Sequence, residues 1–251
     1  MAINIVFLFV LAFLAESIDI ILGMGFGTIM TPLLIELSYN PLSVLPTILL
    51  LQAIAGITAG FSHHFQENIN FLSREKAKIV ALFVIFGGIG AVAGAFVATH
   101  INLTYLKLII GVVVVVAGIA LFATRFLHKS KLSYNKLLAV GTLGAFAKTM
   151  TGVYGPIVTS GQIISGVNEK EAVAITVFTE GITSFIGFLA FMFFVKIEMS
   201  LFLPLLVAVL AAVPLSTYIV KISPKHYLRR GIGSLVIALG LILIIKTLIL
   251  G

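Results

Sequence analysis

The chain contains no cysteine, which excludes a disulfide framework, a thiolate metal site and a cysteine nucleophile, and leaves the redox compartment unmarked. Charge is nearly as scarce: 10% of the residues are Asp, Glu, Lys or Arg, and Asp19 is the single aspartate. One aspartate rules out a paired-aspartate signature, and neither His-Glu-x-x-His nor Gly-x-Ser-x-Gly occurs, so an intramembrane enzyme would lack its machinery. There is no phosphate-binding Gly-x-x-x-x-Gly-Lys-Ser/Thr loop either; an ATP-driven process would have to borrow its energy from a partner chain. No cofactor is implied.

What remains is apolar. Of 251 residues, 60% are hydrophobic, in runs long enough to cross a bilayer, and the lipid bilayer is the first partner to expect. The formal charge of +7 does not point to nucleic acid, because the basic residues gather in short loops between apolar runs, where they orient a membrane protein. The apolar N-terminus has no basic n-region and no small-residue cleavage site before Glu16, so it is expected to stay as a helix instead of leaving as a signal peptide.

Glycine normally weakens a helix. Yet Gly23-Met-Gly-Phe-Gly-Thr-Ile-Met-Thr-Pro32 interrupts the apolar region between the run Ile3–Leu22 and the piece Thr28–Leu37, which is about half a span. Full spans are expected at Pro41–Phe61, Ile79–Ala98 and Tyr105–Thr124, with a polar loop over Ser62–Lys78. After a basic link, Arg125–Lys136, the plan repeats: Leu137–Ala147, a break Gly152-Val-Tyr-Gly155-Pro156, a half-length piece to Ile164, then Ala172–Val195, Leu201–Val220 and Gly231–Leu250. At an offset of 128 residues Gly27, Ile29 and Thr31 fall on Gly155, Ile157 and Thr159. The expected architecture is an all-α membrane protein of two homologous repeats, 1–126 and 127–251, each with a broken or re-entrant Gly-rich helix pair plus three full transmembrane helices.

The basic residues decide how the repeats lie, since Lys and Arg are held on the cytoplasmic side of short loops. If each repeat crosses four times the repeats are parallel, and six cations fall outside against nine inside. If the opening part of each crosses an even number of times, the second repeat is inverted. Lys107, Lys196 and Lys246 then lie outside, while Arg74, Lys76, Lys78, Arg125, Lys129, Lys131, Lys136, Lys170, Lys221, Lys225, Arg229 and Arg230 lie inside, with Lys148 in the membrane. This twelve-to-three split favours the inverted pair.

Inverted repeats with short, Gly-interrupted segments at matching positions point to a secondary transporter with its site near the midplane. A helix broken within the bilayer leaves unpaired backbone groups, tolerated only where protein or a watery cavity satisfies them. Ends near Gly25, Gly27–Thr28 and Gly155 would present N–H groups and positive dipole ends that suit an anion. The pattern Gly23-x-Gly25-x-Gly27-x-x-x-x-Pro32-Leu-Leu, the Pro41–Gln52 stretch and Gly152-x-x-Gly155-Pro156 resemble the TauE/SafE family of sulfite exporters. The likeness covers the whole chain and departs from symmetry at Ser160, where the counterpart of Pro32 would stand. The resemblance implies a multi-pass carrier of a prokaryotic inner membrane that exports a small sulfur-containing anion, such as sulfite, thiosulfate or an organosulfonate, driven by an ion gradient.

Ionisable groups at membrane depth are functional candidates by default; here they are Glu16, Asp19, Lys148 and Glu180. Lys148 lies four residues before Gly152, and it is either a fixed charge for the substrate or the buried partner of Glu180. Glu180 aligns with Gln52, so one repeat carries a protonatable group where the other has a neutral amide, which makes Glu180 a proton-coupling candidate. Glu16 and Asp19 share a helix face, where two carboxylates in low dielectric do not ionise together. Either one of them holds a proton and joins the coupling, or that face meets a water-filled vestibule or the membrane interface.

Gln52 and the hydroxyls of Thr31, Thr151 and Thr159 beside the breaks complete the candidate substrate site, along with Gly25, Gly27, Thr28, Lys148 and Gly155. Thr149 and Thr179 carry the same hydroxyl, but threonine in membrane helices also bonds its own backbone or a neighbouring helix. His63-His64 is a pair of adjacent histidines directly after a span and is not read as a metal site. The run Gly87-Gly88-Ile-Gly90-Ala-Val-Ala-Gly94 places small residues four apart, which suits close helix packing. A membrane subunit of a larger transport complex and an anion channel stay open as alternatives, as does oligomeric state, a homo-oligomer included.

Overall fold

The computed structural model describes residues 5–123, 131–195, 202–222 and 226–250. All regular structure among the described residues is helical, in ten helices: α1 (Ile5–Leu22), α2 (Phe26–Glu36), α3 (Pro41–Phe65), α4 (Arg74–His100), α5 (Leu103–Ala123), α6 (Tyr134–Thr151), α7 (Gly155–Ile164), α8 (Glu169–Met192), α9 (Phe202–Ile222) and α10 (His226–Leu250). Helices α3, α4, α5, α8 and α9 are long and apolar enough to cross a membrane. At about 1.5 Å per residue, α2 and α7 reach only about half of a ~30 Å hydrocarbon layer.

Local chemistry sets the helix ends. Asn40 Oδ1 accepts from the Leu42 N–H at 2.9 Å and Asn168 Oδ1 from the Lys170 N–H at 3.1 Å, capping α3 and α8 by satisfying a donor that the helix itself cannot. α1 stops at Gly23 (φ +69°) and α6 at Gly152 (φ +82°). These left-handed conformations close a helix, and glycine adopts them without a Cβ clash; the two N–H groups bond back to the Asp19 and Lys148 carbonyls, each at 2.6 Å.

Several boundaries differ from the sequence expectation. α3 continues through His63-His64 to Phe65 and α4 begins at Arg74, which shortens the polar loop. The reason is tertiary: Asn68 Nδ2 bonds His63 Nδ1 at 3.2 Å and the Thr217 carbonyl at 3.1 Å, while Gln66 Nε2 donates to Thr217 Oγ1 at 2.8 Å, so polar groups after the apolar run are tied to α9. α6 extends to Thr151, which places Lys148 in its last turn instead of beyond its end.

The helices pair across the chain: α1 packs against α9, α4 against α6, α3 against α8 and α5 against α10. The glycine run of α4 forms the α4–α6 seam, where Gly90 lies on the Thr142 carbonyl and Gly94 on the Phe146 carbonyl, an approach that any larger side chain would prevent. α3 and α8 are the most enclosed of the five spans. On the outer helices Ile85, Ile89, Val112, Val116, Val207 and Ile245 are exposed, the apolar surface that lipid requires. Arg125, Lys129, Lys196 and Lys225 of the charge count lie outside the described residues.

Candidate functional site

At the centre of the bundle, α3 and α8 bring Gln52 against Glu180. Gln52 Nε2 donates to Glu180 Oε1 at 2.9 Å and to Asp19 Oδ2, on α1, at 3.3 Å. From α6, Lys148 Nζ donates to Gln52 Oε1 and pairs with Glu180 Oε1. Glu16 lies with them: Glu16, Asp19, Gln52, Gly56, Val177 and Glu180 line one narrow cleft, closed so tightly that no water-sized sphere fits inside. All five polar members are buried, with Lys148 only 1% exposed.

Four helices thus converge on one ammonium and three carboxyl groups. Fully ionised, the cluster has two negative charges without a counter-cation. Burying unpaired charge is expensive, and two acceptors here, Glu16 Oε2 and Glu180 Oε2, have no hydrogen-bond partner among the described residues.

The two breaks lie directly on one another beside this cluster. A Cβ on Gly27 would overlap the Gly152 carbonyl and come within 3.2 Å of Gln52 Oε1; one on Gly155 would overlap the Gly23 carbonyl and Met24. Glycine is needed at both positions because backbone meets backbone there. Thr159 Oγ1 reinforces the contact by donating to the Gly23 carbonyl at 2.7 Å, and it sits 2.9 Å from Thr176 Oγ1. In this conformation no anion fits between the glycine ends. At the N-terminus of α2 the Asp19 carboxyl group lies against the Phe26 backbone, and the Ile29 N–H is used by the Gly25 carbonyl at 2.9 Å.

The remaining candidates separate by what their hydroxyls do. Thr151 Oγ1 bonds the Ala147 carbonyl at 2.6 Å, Thr149 Oγ1 the Ala145 carbonyl at 3.0 Å and Thr179 Oγ1 the Ile175 carbonyl at 2.8 Å, each within its own helix. Thr28 is buried on the first turn of α2. Thr31, packed against Gly152, has a buried hydroxyl with no partner among the described residues.

Sequence reasoning passed over Tyr154. It is 1% exposed, its hydroxyl lies 3.2 Å from Thr179 Oγ1, and the Lys148 ammonium is 5.8 Å from its ring centroid, within cation–π range. The available signal was an aromatic residue with a polar tip inside a Gly-rich break, a place where a buried hydroxyl must find a partner.

An apolar ten-helix bundle with a buried charge cluster between broken helices is the setting of a membrane carrier. The family model for the sulfite exporter TauE/SafE matches residues 8–243, nearly the whole chain. No curated protein and no solved structure matches. This is a multi-pass membrane protein, and it belongs to the TauE/SafE sulfite exporter family, a family of membrane transporters and not of enzymes.

Proposed function

We propose that the chain exports sulfite or a related sulfur-containing anion, thiosulfate or an organosulfonate, across a prokaryotic inner membrane by proton-coupled alternating access between two inverted repeats, 1–126 and 127–251. The observation that carries this reading is the position of Lys148, held between Glu180 and Gln52, two residues 128 apart on helices that pack against each other. Several further features support inversion. Contacts between α3 and α8 run from Leu49 with Gly187 through Gly56 with Gly181 to Gly60 with Phe178, so the two helices are antiparallel. Gly111 meets Ile244 and Val115 meets Gly240, so α5 and α10 are antiparallel as well. The first helix of each five packs on the fourth of the other, as a two-fold relation requires.

Charge arithmetic supplies the coupling. An anion cannot join a site that already has two uncompensated carboxylates, so protons must first occupy Glu16 and Asp19. Protonation of Glu180 dissolves its ion pair and frees the Lys148 ammonium, which then takes the substrate anion as its new partner, while Gln52 keeps an amide in place to hydrogen-bond either one. Separation of the α2 and α7 ends at the Gly27–Gly152 and Gly155–Gly23 contacts makes the room that the closed cleft lacks. Proton release on the other side restores the Lys148–Glu180 pair and expels the anion.

The test is reconstitution of the purified chain in proteoliposomes with a pH gradient and labelled sulfite. Wild type should carry sulfite alone, and Glu180→Gln should keep binding but lose the response to the gradient. Unaltered pH-driven transport in Glu180→Gln would remove it from the mechanism. Transport that appears only with added partner chains would favour the subunit reading, and flux that neither saturates nor responds to the gradient would favour a channel.

A further inference from the structure

A cavity of about 320 Å³, within the range of small-molecule pockets, lies away from the central cluster. It is bounded by the end of α2 (Ile35, Glu36), the turn Ser38–Pro41, the start of α5 (Leu103, Thr104, Lys107) and the end of α10 (Leu243, Lys246, Thr247). Lys107 and Lys246 are two of the three cations that the inverted topology leaves on the outer side, and both converge on this cavity. Lys246 Nζ pairs with Glu36 Oε2 at 3.1 Å and also donates to the Glu36 carbonyl at 3.1 Å, tying α10 to the last turn of α2. Lys107 has no ion-pair partner among the described residues. With Glu36 cancelling Lys246, the cavity has one net positive charge, supplied by Lys107.

We infer that this cavity is an outer-face binding site for a small, singly charged oxyanion, which Lys107 holds after release from the central site. The inference rests on the export reading for the ligand's class, but not on Lys148 or Glu180. The single net positive charge supplied by Lys107 matches a monoanion such as hydrogensulfite. A dianion would meet one unmatched negative charge. Because Lys246 fastens the half-helix α2 to α10 at this cavity, an anion bound here also touches the element whose inner end closes the central site.

The chain has no native cysteine, so Thr104→Cys gives a single attachment point for an environment-sensitive fluorophore, joined as a thioether. The labelled full chain, in nanodiscs of zwitterionic lipid, is titrated with sulfite, with sulfate and with phosphatidylglycerol. A saturable response to sulfite is expected, weakened about tenfold by Lys107→Gln as for loss of a charge-assisted hydrogen bond and restored in large part by Lys107→Arg. Glu36→Gln should raise the site's charge and admit sulfate. In Lys148→Gln the response at Thr104 should persist even where transport is lost, which separates failure of this site from failure of the central one. No response to sulfite, a response indifferent to Lys107→Gln, or one driven by phosphatidylglycerol alone would overturn the assignment; the last result would make the cavity a lipid-headgroup site.

Discussion

Lys148→Ala is the most informative single change. It removes the cation of the central cluster and leaves Glu180, Asp19 and Glu16, each no more than 3% exposed, without a counter-charge. Breaking a buried pair by deleting one partner costs about 3–5 kcal/mol, which for a chain of this size lowers the unfolding midpoint on the order of 10 °C. Adding Glu180→Gln in the same chain removes the orphaned charge and keeps an amide within reach of Gln52, so most of that loss should return, with a coupling energy of about 1.5 kcal/mol or more. Thermal unfolding of the purified protein in detergent reads stability for wild type, both single variants and the double variant. Anion affinity is measured on the same samples. The transport reading expects Lys148→Ala to weaken binding by about 1.5–3 kcal/mol, roughly tenfold to a hundredfold, and expects that loss to survive in the double variant. If Lys148→Ala is as stable as wild type, the pair does not hold the helices as described. If the double variant recovers stability while anion affinity never changes, Lys148 belongs to the scaffold and the substrate must be held by the glycine ends alone.

Gly27→Val and Gly155→Val should both fail to yield a stable, monodisperse protein, since their Cβ atoms would overlap the Gly152 and Gly23 carbonyls; normal yield and unfolding temperature for either would show that the two breaks are not packed together. For topology, cysteines placed near Lys129 and near Lys225, both outside the described residues, should react with an impermeant thiol reagent from the same side, and one at Asn102 from the other. Labelling of the first two from opposite sides would return the parallel arrangement.

The sequence alone determined the class, the number and approximate placement of the apolar segments, and the two interruptions. These follow from composition along a continuous stretch: an apolar run declares its length, and glycine at positions 23, 152 and 155 declares where a helix cannot simply continue. It also named Glu16, Asp19, Gln52, Lys148 and Glu180 as separate candidates, because a charge or amide in an apolar run is conspicuous wherever it lands. Their grouping belonged to the tertiary structure. Whether Lys148 faced the substrate or Glu180 was open in the sequence, and the packing of α6 beside α3 and α8 set it against both Glu180 and Gln52. Tertiary packing likewise pressed the two glycine ends together so that no anion fits between them, carried α3 past its apolar run through bonds to Thr217 and brought Lys107 to one cavity with Lys246. The physical reason is range. Helix formation and helix ending depend on neighbours within about a turn of the chain, whereas a hydrogen bond or ion pair between helices needs its atoms placed to a few tenths of an ångström, and only the packing of the whole bundle fixes distances between residues as far apart in sequence as Gln52 and Glu180.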